Sequence, residues 1–172
     1  EAQSGDTLQL TSGQYNGNLL IDKPLTISCE PGATLDANKT KDAIRITAPN
    51  VTGQGCNILN WGEDLTAMDA GIVVKKTADN AIIKNNYLKG VTFGIFLDSA
   101  TNTQVLSNRV EGTLEVRSQD RGNGIHLYAA TGADVAFNEV WHTRDGIYID
   151  TSNENFIRDN EFHHLRYGVH YM

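Results

Sequence analysis

Apolar and polar residues alternate with a period of two in short runs along the chain, as in Ile147-Tyr148-Ile149, Phe156-Ile157 and Glu161-Phe162. A period of two sends successive side chains to opposite faces, which predicts strands. No window holds a 3.6-residue period over three turns, so no helix is expected. The short runs also recur. GIVVKKTADNAIIKNNYLKG, GIFLDSATNTQVLSNRVEG, GIHLYAATGADVAFNEVWH and GIYIDTSNENFIRDNEFHH align under one another. Their opening glycines, with one more beyond, are Gly71, Gly94, Gly124, Gly146 and Gly168, separated by 23, 30, 22 and 22 residues. A second column, Asn86, Asn108, Asn138 and Asn160, is spaced 22, 30 and 22 residues. From each Asn to the next Gly is 8 residues, except from Asn108 to Gly124, where it is 16. One unit therefore carries an eight-residue insertion within GTLEVRSQDRGN.

Three short strands in a repeat of about 22 residues predict an all-β fold, a right-handed parallel β-helix whose coils stack about 4.8 Å apart. A leucine-rich repeat has a similar length, but its leucine framework is missing. Ile72, Ile95, Ile125, Ile147 and Val169 then form one inward column, and Ile83, Val105, Val135 and Ile157 another. Asparagine suits its column because it tolerates left-handed backbone at a turn and can hydrogen-bond to its own kind along the axis. The N-terminal part fits less regularly. LLIDKPLTISC, ATLDA and AIRITAPNVTGQGCNIL are strand runs broken by Pro and Gly, in coils of roughly 25 to 28 residues. Open ends of a solenoid expose unpaired backbone and call for caps. The last coil opens at Gly168 and stops at Met172 without one. The expectation is one β-helix domain over 1–172 that is a piece of a longer solenoid, or whose end pairs with something else.

The chain is 40% hydrophobic and 20% charged, enough to bury a core in one domain. A net charge of −7 gives no electrostatic support to nucleic-acid binding. No run approaches the 18 or so apolar residues of a membrane span, so insertion is not expected. The two cysteines, Cys29 and Cys56, lack CxxC spacing and leave two readings open, buried thiols or a disulfide on successive coils.

Stacking turns residues one coil apart into neighbours, about 5 Å from each other. His142 and His164 share one column, with His163 beside the latter. His126, Tyr148 and His170 share another and point outward, because their neighbours point in. Arg144 stacks with Arg166, and Asp145 with Tyr167. Imidazole suits Cu, Zn and Ni, while thioether favours Cu(I), so the only methionines, Met68 and Met172, count as candidates too. Met68 is expected on the same edge, too many coils away to share a metal with His142. The alternative is that these histidines stack for β propensity and interface contacts. The insertion, with Glu115, Arg117, Asp120 and Arg121, is either a binding loop or a solvated one. Hydrolysis of a polysaccharide would want converging carboxylates. Asp98, Asp145 and Asp150 are available, but Tyr128 separates Asp98 from Asp150, and Arg144 with Asp145 reads as a salt bridge.

MDAGIVVKKTAD, RGNGIHLY, RDGIYIDTS, HHLRYGVHYM and QLTSGQYNGNLLIDKPLTI together resemble the NosD family of β-helical periplasmic proteins. The resemblance covers nearly the whole chain and includes the insertion before Gly124. It implies a periplasmic accessory protein, not an enzyme, that helps assemble the copper-sulfur centre of nitrous oxide reductase alongside an ABC transporter. It implies transient copper as cargo, with His126, His142, His163, His164, His170, Met68 and Met172 as candidate ligands. It also implies relatives about twice this length. A carbohydrate-binding or carbohydrate-processing β-helix and a metal-free docking scaffold are the competing readings.

Overall fold

The computed structural model describes residues 2–172. Its strands form three parallel sheets of seven strands each, visited in turn as the chain winds. Sheet A contains Thr7–Leu10, Thr26–Cys29, Thr52–Gln54, Ile82–Lys84, Gln104–Leu106, Asp134–Ala136 and Phe156–Arg158. Sheet B contains Gly13–Asn16, Ala33–Asp36, Asn57–Leu59, Tyr87–Lys89, Arg109–Glu111, Glu139–Trp141 and Glu161–His163. Sheet C contains Leu19–Ile21, Ile44–Ile46, Ala70–Lys75, Phe93–Asp98, Ile125–Tyr128, Asp145–Asp150 and Tyr167–Tyr171. The protein is a right-handed parallel β-helix, and among the described residues it has no α-helix, only a 3₁₀ turn at Ser118–Asp120.

The inward columns are those the pattern predicts. Ile44, Ile72, Ile95, Ile125, Ile147 and Val169 pair one above the other in sheet C. Gly53, Ile83, Val105, Val135 and Ile157 do so in sheet A. Apart from Gly53 and the half-exposed Val169 of the last coil, these side chains belong to or pack against one continuous apolar core along the axis, with Trp61, Ile58 and Leu88 among its largest fully buried members.

The glycine column follows from close approach. A Cβ on Gly94 would lie 2.4 Å from Val110 Cγ1 and 2.5 Å from the carbonyl oxygen of Gly124, so any side chain would displace the neighbouring coil. The asparagine column differs from expectation in one respect. The left-handed residues of that corner are those just before it, Asn85, Ser107, Phe137 and Asp159, with φ of 57°, 55°, 59° and 54°. The column asparagines form a ladder instead. Asn108 Nδ2 donates to Asn138 Oδ1 at 3.0 Å and to the Ile83 carbonyl at 2.9 Å, while its Oδ1 accepts from the backbone and side chain of Asn86. Cys56 occupies the same column one coil earlier, its amide donating to Asn86 Oδ1 at 3.0 Å. Cys56 is disulfide-bonded to Cys29, which settles the two readings of the cysteines.

Coil lengths are less uniform than the roughly 25 to 28 residues read for the N-terminal part. Thr7 pairs with Thr26, whereas the stacked Asn50 and Asn80 are 30 residues apart. That longer coil holds an excursion between Leu59 and Ala70, with a turn in which Asp64 Oδ1 accepts from the amides of Thr66 and Ala67. The second 30-residue spacing, between Asn108 and Asn138, contains the predicted insertion. The coil is rejoined where the Gly122 amide donates to the Val91 carbonyl. Both excursions leave the helix between sheets B and C, and so they frame the outer face of sheet C.

Candidate functional site

The outward column of sheet C is longer than the three residues recognised from the repeat. In register it runs Arg45, Val73, Phe96, His126, Tyr148 and His170. His126 does point away from the core, as expected, yet it is buried, with 7% of its surface exposed. It packs edge-on against Phe93 and Phe96, at ring-centroid distances of 5.1 and 4.9 Å, and lies 4.9 Å from Tyr148. Phe93, Phe96, Val73 and Ala70 make a small second apolar cluster, against which Leu65 of the first excursion packs. Burial pushes the imidazole of His126 down to about 4, so it is neutral near pH 7. Asn123 Nδ2 lies 3.3 Å from its Nδ1.

Two clefts flank this residue, and each holds one of the two methionines. The first, about 370 Å³, is lined by Met68, Phe96, His126, Tyr128 and by Lys75 and Asp98, which pair with each other. The second, about 420 Å³, is lined by Met172, His126, Tyr148, His170 and Arg166. The excursion thus places Met68 on the lining of a cleft that His126 also lines. Its separation from His142 was readable by counting coils, but the cleft it shares with His126 was not.

His170 and Arg166 converge on Asp145, whose side chain is fully buried. Arg166 donates to both carboxylate oxygens, at 2.9 and 2.6 Å, and His170 Nδ1 lies 2.9 Å from Oδ2. Burial pushes the Asp145 carboxyl up, but these hydrogen bonds outweigh it and hold it below the usual range. The partner of Asp145 is therefore Arg166 from the next coil, not Arg144 as its sequence neighbour suggests. Asp98 and Asp150 lie on either side of Tyr128 in register, as counted from the repeat.

The other histidines meet at the corner between sheets B and C. His142 and His164 both hold left-handed backbone, with φ of 58° and 56°. Histidine is among the few non-glycine residues enriched in that region. Their ring centroids lie 5.5 Å apart with the planes tilted by 58°, and His163 Nδ1 sits 2.8 Å from His164 Nδ1. One of those nitrogens donates and the other accepts, so the two rings cannot both be protonated and keep the bond. His163 also stacks on Trp141 at 5.7 Å, with its Nε2 3.3 Å from Glu139 Oε1. Arg109 chiefly, and then His163, hold the Glu139 carboxyl below its usual range. Burial, then the neighbouring His164, lower the pKa of His142.

The seven candidate ligands thus fall into two groups. His126, His170, Met68 and Met172 lie on the sheet C face, and His142, His163 and His164 lie at the B–C corner. Among the described residues, no three His, Cys, Asp or Glu side chains are arranged to hold a metal ion as they stand. The donor chemistry nevertheless suits a soft cation on the sheet C face, where each thioether shares a cleft with a neutral imidazole. Phe93, Phe96 and Asn123 were not singled out from sequence. Extending the outward column by one coil from His126 would have found Phe96.

Comparison with known proteins agrees with the fold. The chain is similar to alginate lyase from Paenibacillus sp., with a TM-score of 0.70 at 13% identity over 92% of this chain and 70% of that one. It is similar to the Dettilon tailspike protein, with a TM-score of 0.62 at 18% identity over 96% of this chain and 39% of that one. At such identities the likeness concerns architecture alone. No helix in the described residues is long and apolar enough to cross a membrane. A family described as "Periplasmic copper-binding protein (NosD)" matches residues 108–172. Two relatives carry the name "Probable ABC transporter binding protein NosD". The one from Pseudomonas aeruginosa is 53% identical over 137 residues, which is 80% of this chain and 32% of that protein. The one from Stutzerimonas stutzeri is 46% identical over 138 residues, again 80% and 32%. The chain therefore spans about a third of the length of these relatives, less than the half implied by resemblance. With such identity over four-fifths of its length, the chain belongs to the NosD family.

Proposed function

We propose that the protein is a periplasmic accessory factor that handles copper during assembly of the copper-sulfur centre of nitrous oxide reductase, acting with an ABC transporter and without catalytic activity of its own. The observation that carries this reading is that both methionines line clefts walled by one buried, neutral histidine, His126. Thioether and neutral imidazole are soft to borderline donors and favour Cu(I). An incomplete, partly open donor set suits a cargo that must leave again. The three-imidazole corner at His142, His163 and His164 is a second place of contact, better matched to Cu(II). The family description and the transporter-binding name of the relatives support the same reading.

The carbohydrate-processing alternative has less to stand on. Asp98 is paired with Lys75, Asp145 with Arg166, and Asp150 is separated from Asp98 by Tyr128. Anaerobic titration with Cu(I) against a competing chelator tests the proposal. The protein is expected to bind Cu(I), with affinity falling at least tenfold in a Met68→Ala/His126→Ala double variant. Substitution of His142 and His164 is expected to weaken Cu(II) more than Cu(I). A chain that binds neither oxidation state would rule out direct copper handling by these coils.

A further inference from the structure

The cleft that holds Met172 has a second character that copper does not use. Three arginines stand on its lining, Arg121, Arg144 and Arg166, in a chain of net charge −7. Arg166 is engaged by Asp145. Arg121 comes from the insertion and is held by carbonyl oxygens alone, donating to Val116 at 2.9 Å and to His142 at 3.2 Å. Neither Arg121 nor Arg144 has an ion-pair partner among the described residues. Asp150 is the one carboxylate on the lining, at the boundary shared with the neighbouring cleft. The floor is aromatic, with Phe93, His126 and Tyr148 side by side. Beside them Asn123 is 6% exposed, and its Oδ1 is buried without a hydrogen-bond partner. A buried acceptor left unpaired costs about 1–3 kcal/mol, so it calls for a donor from a ligand.

We propose that this cleft binds an acidic saccharide unit, a uronate. Its carboxylate would pair with Arg144 and Arg121, its ring would lie on Phe93 and Tyr148, and a ring hydroxyl would donate to Asn123 Oδ1. Each feature excludes a simpler ligand. A neutral sugar leaves the two free guanidinium groups unanswered. An inorganic oxyanion gains nothing from the aromatic floor and brings little to donate to Asn123. A cleft of about 420 Å³ falls in the range of small-molecule sites. The inference shares a cleft with the copper reading but not its residues, since Arg121, Asn123 and Arg144 are not candidate copper ligands.

Isothermal titration with 1,4-linked trigalacturonate tests it, alongside a neutral glucose trisaccharide and inorganic phosphate. Heat of binding is expected with the uronate trimer only, and phosphate at the same concentration should not displace it. Arg144→Ala is expected to weaken binding at least tenfold and Arg144→Lys less, because lysine keeps the charge but loses the fork that matches a carboxylate. Arg158→Ala, on sheet A, should leave it unchanged. No heat with the uronate, equal binding of the neutral trimer, equal displacement by phosphate, or an unaffected Arg144→Ala variant would each overturn the proposal. Copper titration of Arg144→Ala should match the parent chain, so the two readings fail separately.

Discussion

His126 is an imidazole on the outside of a sheet yet largely screened from water, because Leu65 and Phe93 pack around the column that contains it. That placement has a measurable cost. In the unfolded chain histidine titrates near 6.5, whereas burial holds the folded residue to about 4. Between those values the unfolded state binds the proton and the folded state refuses it, so stability falls as pH drops from about 6.5 toward 4. Above that window His126 is neutral in both states and contributes no pH dependence. The full shift corresponds to roughly 2–3 kcal/mol once its partial access to the clefts is discounted. Urea midpoints at pH 7 and pH 5 should therefore differ more for the parent chain than for His126→Phe, which repeats the ring already present at Phe96. Asp145, held low, titrates below this window and does not confuse the comparison. An equal pH response in the two proteins would mean that His126 is hydrated in solution.

At the scale of one coil, the asparagine ladder decides how strands of three residues stay in register. Asn108 makes four hydrogen bonds, two through each end of its amide, to Asn86, Ile83 and Asn138. Removing it strands buried donors and acceptors on both neighbouring coils. Asn108→Ala is expected to lower stability by roughly 2–4 kcal/mol, read from the urea midpoint. A loss well under 1 kcal/mol would mean that water replaces the amide. The column was legible because Asn86, Asn108, Asn138 and Asn160 keep their spacing through every irregularity. Its role was legible only in part. The adjoining left-handed position holds Asn85, Ser107, Phe137 and Asp159, and a phenylalanine there disguises the turn. Phe137 is tolerated because its ring is exposed and lies 5.2 Å under Arg158. The inward isoleucines were readable for a simpler reason, since burial on one face imposes the period directly. The candidate site was harder to see. The residues that build its walls, Leu65, Met68 and Arg121, sit on two excursions that obey no repeat.

Across the whole molecule, each coil touches only the coils above and below it, so stability is distributed along the axis rather than pooled. The C-terminal coils are tied by the asparagine ladder. The N-terminal ones lack it, and at that point in the column stands Cys56, bonded to Cys29. The disulfide spans a sequence separation of 27 residues and joins the end of the second strand of sheet A to the corner that follows the third, where coil length is least regular. A closed loop of that size constrains the unfolded chain by about 3.5 kcal/mol on the chain-entropy account. In a globular core that loss would be felt everywhere. In a solenoid it should be local, since a weakened coil frays before its distant neighbours do. A Cys29→Ala/Cys56→Ala variant is therefore expected to lose hydrogen-exchange protection mainly in strands between Thr7 and Leu59, while Gln104–Leu106 and Asp134–Ala136 keep theirs. The proposed copper contact of His126, two coils beyond Cys56 in sheet C, should survive the same change. Uniform loss of protection along the chain would show instead that the coils unfold as one unit, with the disulfide stabilising the whole stack.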